Sequence, residues 1–327
     1  MLSVILYCTP FFGALLSDLT QSIVTKRALI FAAGLICFMI LACRDGVGWD
    51  YAHYKFLIES RLIESFDYIP FLMAEQAIYW DSVEVFFTLA ALTAIAPVTF
   101  VCLKRDNALP LICYIALPVF FFESFSVVRQ STAIGFSILA YHYFLAGQRK
   151  FIIFSLVAIL CHKAASLFAF MLIATWFGGT WVLVITGFGM ILAGVIFTYL
   201  FPTLLIFLPN LIFYNQGVSF GVLSIAFWIL WVIVFFDSRD DRRHYLIIAC
   251  GVLMSVSLIS LDSVFVRLAW FWFIPALFMS YKRIFGFVRV PRLLVHFSAF
   301  IVFSLTLFLK ASLTQGALIP YQSVFYG

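Results

Sequence analysis

Long apolar runs recur along the whole chain and are separated by short polar segments. Twelve such runs can be distinguished, and most of them end at a charged residue or a basic pair. A bilayer core ~30 Å thick is crossed by about twenty helical residues, and several runs approach that length. Because lipid offers no partners to unpaired backbone groups, the pattern predicts an all-α, polytopic integral membrane protein of about eleven or twelve transmembrane helices.

The polar sequence is concentrated in a few places along the chain. Residues 44–84 are rich in acids and tyrosine and are predicted to form an outer loop. An uncharged stretch broken by two prolines predicts a second, broken outer segment at 201–220. No polar segment is large enough to fold alone as a soluble domain, so one polytopic transmembrane domain is predicted over residues 1–327.

Lysine and arginine divide unequally between the two sides of this topology. If the N-terminus lies outside and twelve spans alternate, thirteen of the twenty basic residues fall in cytoplasmic loops, mostly as tight pairs. The positive-inside rule expects this asymmetry, and it accounts for most of the net charge of +5. The charge therefore does not indicate nucleic acid as a partner.

Residues 151–177 allow two interpretations. They form either one long helix with His162 at its middle or two pieces with a break at His162-Lys163. The single helix would reverse the orientation of everything downstream, unless residues 201–220 make an extra crossing. We prefer the break, and the span count around both segments stays open.

Composition excludes several kinds of chemistry. The chain is 65% hydrophobic and only 11% charged, and its seven cysteines are scattered without CxxC spacing. We interpret them as small core residues, with neither a disulfide nor a metal indicated. HExxH, DxD and P-loop patterns are absent from the sequence. We therefore predict no metal and no nucleotide cofactor.

A group of polar residues at the outer ends of the runs is left over once topology is accounted for. The apolar segments around Arg129, His162 and Lys163 are short for a bilayer, so these residues are predicted to lie below the membrane surface inside the bundle. Ionisable groups at that depth are costly and by default mark a functional site. The full group is Arg44, Asp45, Asp50, Tyr51, Arg129, Gln130, His162, Lys163, Asp262 and Arg267.

Several cations converging on one cavity would suit a polyanion. Guanidinium groups bind phosphate through two parallel hydrogen bonds, and lipid-linked pyrophosphates are candidate ligands within a membrane. Taken singly, each residue could instead form an interfacial salt bridge or extend its charge to the surface. Composition alone also allows a transporter for an anionic substrate.

Short motifs along the chain resemble, in the same order, those of the EpsG-type, Wzy-like polysaccharide polymerases. Residues 44–54 resemble the family's R-x-x-x-G-x-D-Y-x-x-Y, and residues 128–133 resemble its R-Q-x-x-A. Residues 158–165 resemble A-x-x-x-H-x-S-A, with Ala164 in place of the serine. Residues 265–270 resemble the start of a late span, and residues 320–325 resemble the family's C-terminal end.

The resemblance implies a membrane glycosyltransferase of O-antigen, lipopolysaccharide or exopolysaccharide biosynthesis. Such an enzyme joins oligosaccharide repeat units carried on undecaprenyl pyrophosphate, at the periplasmic face of the bacterial inner (plasma) membrane. An acceptor hydroxyl attacks the anomeric carbon of a donor chain, and undecaprenyl pyrophosphate leaves. No cofactor is implied, and the partners are the lipid-linked oligosaccharide and membrane lipid. A chain-length regulator and a flippase are candidate protein partners.

We assign roles to the residues on this basis. Arg44, Arg129, Lys163 and Arg267 are predicted to bind the pyrophosphate, because a leaving group that gains charge needs cationic stabilisation. His162 or Asp50 is the predicted base, with Arg129 as a further catalytic residue. Asp50 could equally order the loop as a partner of Arg44. The predicted sugar-binding residues are Trp49, Tyr51, Tyr54 and Gln130, although the aromatic ones could equally form an interfacial belt.

Two other functions stay open at this point. A flippase or exporter of lipid-linked oligosaccharide would use the basic cavity without chemistry, and inverted internal repeats, which would favour it, are not seen. An O-antigen ligase would be expected, by resemblance, to carry a large outer loop with its own histidine. Residues 201–220 contain neither histidine nor charge.

Overall fold

The computed structural model describes residues 2–117, 119–178, 267–278, 283–284, 288–289 and 292–311, with a few isolated helical positions. The chain divides into two compact units, one formed by Met1–Ser166 with Pro291–Gly327 and the other by Leu167–Val290. Each unit is described by itself. The predicted outer segment 201–220 and Asp262 lie outside the described residues, and the single domain over 1–327 stays a prediction.

Helices make up nearly all of the described structure. They are α1 (Leu2–Leu19), α2 (Ile23–Ala42), α3 (Tyr51–Glu59), α4 (Tyr68–Tyr79), α5 (Val83–Arg105), α6 (Leu109–Ala116), α7 (Val128–Leu145), α8 (Lys150–Cys161), α9 (Ala165–Gly178), α10 (Ile274–Leu277) and α11 (Arg292–Ala311). Two 3-10 helices cover Glu123–Phe125 and Arg267–Phe273, and two-residue strands, β1 (Arg283–Ile284) and β2 (Val288–Arg289), pair antiparallel. The predicted all-α class is confirmed for the described residues, apart from this short pairing.

Two of the described helices, α2 and α5, are long and apolar enough to cross a membrane, judged by length and composition. Helices α1, α8, α9 and α11 contain shorter apolar stretches. The count of about eleven or twelve spans stays a prediction.

Helices α2 and α5 pack against each other and bring two predicted cytoplasmic basic pairs to one end of the unit. Arg27 lies near the start of α2, and its Nε donates a 2.6 Å hydrogen bond to Oδ1 of Asp106, which follows α5. Lys104 and Arg105 occupy the last turn of α5, beside this ion pair. The start of α2 and the end of α5 therefore lie together, so the two helices run antiparallel.

Helix α7 packs closely on α5 through a glycine. A Cβ atom added at Gly135 would overlap the backbone carbonyl oxygen of Thr93 on α5. Only a residue without a side chain allows the two backbones to approach this closely. The contact anchors α7, whose first turn carries Arg129.

The predicted outer loop 44–84 folds into helices α3 and α4, which pack over the start of α5. Their core contains Tyr51, Tyr54 and Phe66 from the loop with Phe86 and Phe87 from α5, all at most 9% exposed. Burial of each such aromatic ring contributes roughly 1.5–3 kcal/mol. The loop is thus a packed lid of two short helices.

The apolar run at 109–122 does not form one continuous helix. Helix α6 ends after eight residues, and Leu117 takes an extended conformation with φ −73° and ψ 131°. The sequence supplies the reason, because residue 118 is proline, and the residue before a proline is driven away from helical geometry. The buried rings Phe120, Phe121 and Phe122 follow and lead to the 3-10 turn.

The first and last described helices of this unit are joined by a buried aspartate–histidine contact and a ring stack. Oδ2 of Asp18, near the end of α1, lies 2.9 Å from Nε2 of His296 on α11. About two helical turns away along each helix, the rings of Phe11 and Phe303 stack with centroids 4.3 Å apart. In the second unit, Phe168 of α9 packs on Phe271 and Trp272.

The helix break predicted within 151–177 is confirmed. Helix α8 ends at Cys161, and His162 is extended, with φ −163° and ψ 122°. Helix α9 begins three residues later, at Ala165. His162 therefore lies at an interruption of the helix and not at the centre of a long one.

Candidate functional site

Asp67 is the residue at which two of the sequence motifs meet. It precedes α4 as the N-cap, with φ −66° and ψ 160°, yet its side chain makes no capping hydrogen bond. Instead Oδ2 lies 3.0 Å from Nδ1 of His162 and 3.7 Å from Nη1 of Arg129. An arginine and a histidine that are far apart in sequence are thus brought to one carboxylate.

Arg129 is held in place by the lid helices. Its Nε donates a 3.2 Å hydrogen bond to the hydroxyl of Tyr54, and its Nη1 donates one of 3.2 Å to the carbonyl oxygen of Ser65. The guanidinium carbon lies 5.5 Å from the centroid of the Phe66 ring. At 3.7 Å the contact with Asp67 is too long for a hydrogen bond and acts through charge.

The side chains of this acid–base cluster remain partly open to solvent. The exposed fraction is 32% for Arg129, 23% for His162 and 18% for Asp67. The side chain of the neighbouring Lys163 is exposed. A ligand can therefore reach the cluster without unfolding the lid.

Asp67 is stabilised as a carboxylate. Burial by itself raises its pKa. The hydrogen bond and charge of His162, the charge of Arg129 and a hydrogen bond from the backbone of Lys163 act in the opposite direction, and the net pKa lies below its usual value. Asp67 is therefore ionised at neutral pH and serves as an acceptor only.

Arg44, the arginine of the first motif, is a buried anchor. Only 2% of it is exposed, and its Nη1 donates a 2.9 Å hydrogen bond to the carbonyl oxygen of Ser124. The guanidinium lies 4.6 Å from the ring centroid of Phe87, in cation–π geometry. It also lines a small pocket, which has room for about one water molecule. The remaining lining residues are Leu41, Phe87, Ala90, Ala91, Ala94, Ser124, Val128 and Ser131.

The first motif packs on the segment that leads into α7. Gly48 has φ +102°, and a Cβ atom there would overlap the carbonyl oxygen of Phe125. The next residue, Trp49, donates its backbone N–H to Oγ of Ser126 at 3.2 Å. The close approach at Gly48 explains why this loop needs glycine, and both contacts connect the first motif to the segment before α7.

The predicted sugar-binding residues are placed differently from one another. The Trp49 side chain is 51% exposed, whereas Tyr51 and Tyr54 are each 4% exposed and Gln130 is 5% exposed. Tyr51 stacks on Phe87 and donates its hydroxyl to Oδ1 of Asp45. Burial and the neighbouring Asp45 raise the pKa of Tyr51. This placement favours a packing role for the tyrosines and leaves Trp49 as the accessible ring.

For two further predicted residues, Asp50 and Arg267, the structure gives no contact that tests the predicted role. Asp50 is half-buried at the N-cap of α3, where its carbonyl oxygen accepts from the backbone N–H of Tyr54 at 2.9 Å. Arg267 is the first residue of its 3-10 helix, in the second unit, and only its backbone is described. Their predicted roles as base and pyrophosphate ligand stay predictions.

Sequence reasoning missed Asp67. The segment Asp67-Tyr-Ile-Pro70 has the form of a helix start, with an acid at the N-cap and a proline in the first turn. That signal could have placed an acid at the beginning of a loop helix. It does not indicate that the carboxylate turns away from its own helix toward His162.

Within residues 2–117, 119–178 and the shorter described stretches, no three His, Cys, Asp or Glu side chains are grouped as they would be around a metal ion.

Two long apolar helices and a lid that bears a partly exposed acid–base cluster are compatible with a helical membrane protein. The model of the EpsG family matches residues 27–323, nearly the whole chain, and the chain belongs to this family. Membership makes it a polysaccharide-polymerase-like membrane protein. No curated protein and no solved structure shows significant similarity to it.

Proposed function

We propose that the protein is a polysaccharide polymerase of the bacterial inner membrane. It joins oligosaccharide repeat units carried on undecaprenyl pyrophosphate, and its site faces the periplasm. The proposal rests on one observation above all, that the R-Q-x-x-A and A-x-x-x-H motifs meet at Asp67, a residue of the lid. Family membership over residues 27–323 supports the same reaction class.

The cluster supplies the two things that this transfer needs. Arg129 stabilises the negative charge that develops on the pyrophosphate leaving group, and a preorganised donor of this kind is typically the largest single catalytic contribution. His162 accepts the proton of the attacking sugar hydroxyl as general base. Both residues contact Asp67, so the base and the cation occupy one small region.

The remaining predicted residues have secondary places in the proposal. Lys163 adds positive charge beside His162, and exposed Trp49 offers a ring face to a sugar. Buried Arg44 supports the loop and lends positive charge from inside the unit. Asp50 and Arg267 are retained as the alternative base and as a further pyrophosphate ligand. A chain-length regulator and a flippase are the proposed protein partners.

The proposal is tested with purified protein in detergent. The substrate is the lipid-linked oligosaccharide that accumulates in cells from which the gene for this chain is deleted, and neither nucleotide sugar nor metal is added. We expect a ladder of polymer on a gel, which disappears with Arg129→Ala and with His162→Ala. Arg61→Asn is the matched control, because it removes an exposed charge from the same lid at a left-handed residue with φ +58°, which asparagine tolerates.

The outcomes separate the alternatives. Full-length polymer from correctly inserted Arg129→Ala and His162→Ala variants would overturn the proposed roles of these residues. Absence of any ladder, with transfer of the lipid-linked oligosaccharide across liposomes by the wild type, would overturn the polymerase in favour of a flippase.

A further inference from the structure

We propose that Asp67 is a positioning residue that keeps the Nδ1 proton on His162 and thereby presents the Nε2 lone pair to the substrate. The inference rests on the proposed function and deepens it, because it states how the general base is prepared. Asp67 lies in the lid and belongs to none of the motifs that resemble the family pattern.

The first step of the argument is the geometry of the pair. Nδ1 of His162 lies 3.0 Å from Oδ2 of Asp67, a normal hydrogen-bond distance. An ionised carboxylate can only accept, so Nδ1 carries the hydrogen. In a neutral imidazole the other nitrogen, Nε2, is then unprotonated and able to accept a proton.

The second step is that Asp67 is held as an acceptor from several sides. Its backbone begins α4, but its side chain gives no hydrogen bond to that helix. Arg129 lies 3.7 Å away, and the backbone of Lys163 forms a further hydrogen bond. These contacts favour the charged carboxylate, and they fix its direction toward the helix break.

The third step is the position of His162 outside regular helix. It follows the last residue of α8 and has an extended backbone, so its ring is not carried on a helical turn. The contact with Asp67 connects this break to the lid. The lid therefore contributes to the alignment of the base.

The proton and electron balance of the step is simple. The acceptor oxygen forms a bond to the anomeric carbon while its proton passes to Nε2 of His162. The bond between the anomeric carbon and the phosphate oxygen breaks, and its electron pair leaves with undecaprenyl pyrophosphate. The imidazolium, stabilised by Asp67, then releases the proton to water.

The alternative is a purely structural role, in which Asp67 only holds the lid against the end of α8. The two readings differ in the tautomer of His162. Nitrogen-15 NMR of histidine-labelled full-length protein in lipid bilayers distinguishes them, since the two neutral tautomers have different ring shifts. The His162 signal is identified as the one that is lost in His162→Gln.

We expect neutral His162 to be protonated at Nδ1 in the wild type, and to shift toward the Nε2-protonated form in Asp67→Asn. Asp81→Asn is the matched control, because Asp81 is an exposed acid of the same lid in a left-handed conformation that asparagine tolerates. The control should keep the wild-type tautomer. An unchanged tautomer in Asp67→Asn would overturn the inference.

The kinetic readout uses the polymerase assay. Loss of the correct tautomer in Asp67→Asn is expected to lower kcat by about 10²- to 10⁴-fold with little change in KM. Asp67→Glu, which keeps the carboxylate, should restore part of kcat. A purely structural role of Asp67 predicts instead that activity per folded molecule is unchanged in Asp67→Asn. That result would contradict the inference.

Failure of this inference can be told apart from failure of the proposed function. If the wild type polymerises but its tautomer does not depend on Asp67, only the positioning role is wrong. If the tautomer changes as expected and the wild type makes no polymer, the positioning stands and the polymerase does not.

Discussion

Two aspartate–histidine pairs in the same unit have nearly the same geometry and very different surroundings. Asp67 and His162 are 3.0 Å apart, and Asp18 and His296 are 2.9 Å apart. In the first pair the side chains are 18% and 23% exposed, and in the second only 4% and 7%. The distance alone therefore does not indicate which pair can act on a substrate.

The surroundings explain the difference. Asp67 and His162 lie at a lid and a helix break, next to Arg129. Asp18 and His296 join α1 to α11, beside a tight ring stack. A ligand can approach the first pair, whereas the second would have to be unpacked. The first pair is therefore the one that we propose to act on a substrate, and the second holds α1 against α11.

The largest expected effect is a difference in polymer formation between variants of the two histidines. His162→Ala removes the proposed base and is expected to reduce polymer formation by about 10²- to 10⁴-fold. His296→Ala should leave activity per folded molecule unchanged, because its ring is buried away from solvent. Both are measured in the lipid-linked oligosaccharide assay, normalised to folded protein. Equal loss of activity would show that the two pairs are not functionally distinct.

The loss of stability should be larger for the buried pair than for the partly exposed pair. His296→Ala removes a buried hydrogen-bond partner of Asp18, and such a loss costs about 1–3 kcal/mol of unfolding free energy. His162→Ala acts on a half-exposed pair and should cost only about 1 kcal/mol. The melting temperature in detergent provides the test. A larger decrease for His162→Ala would reverse our assignment of the structural pair.

The buried pair should also show coupling between its members. Once Asp18 is replaced by alanine, His296→Ala no longer removes the contact between the two side chains, so the double variant should lose less stability than the sum of the single variants. We expect a difference of about 0.5–3 kcal/mol. Additive losses in a double-mutant cycle would mean that the contact contributes little.

Arg129→Lys sharpens the comparison by keeping the charge beside Asp67. Lysine cannot reproduce the two directed hydrogen bonds to Tyr54 and Ser65. If the variant loses about 1.4 kcal/mol of transition-state stabilisation, kcat/KM falls about tenfold. Arg61→Lys in the same lid is the control. Full activity of Arg129→Lys would show that charge alone is sufficient.

The smallest effect concerns pH. The folded-state pKa of Asp67 is lowered, so its contribution to stability is complete above the unfolded value of about 4 and is lost as pH falls through the lower folded value. We expect the wild type to exceed Asp67→Asn by about 1 kcal/mol at neutral pH, with the difference shrinking below about pH 4. Melting curves across pH measure it. A difference that grows on acidification would contradict the sign of the shift.

Much of the fold and part of the site followed from local sequence. The apolar runs predicted helices because a buried helix needs an uninterrupted apolar surface, and the break at His162-Lys163 followed from the polar pair within such a run. Arg129 and His162 stood out because ionisable groups are costly in apolar segments. Pro118, which is visible in the sequence, also explains why the run 109–122 is interrupted.

Only the tertiary structure decided which of these residues meet. Asp67 looks in sequence like an ordinary helix cap, and Tyr51 and Tyr54 look like accessible aromatic residues of a loop. Packing of α3, α4 and α7 turns the carboxylate toward His162 and buries both rings. Side-chain direction depends on how distant helices pack, and such contacts leave no local pattern. For the same reason, nothing along the chain distinguishes the histidine that can meet a substrate from the one that joins α1 to α11.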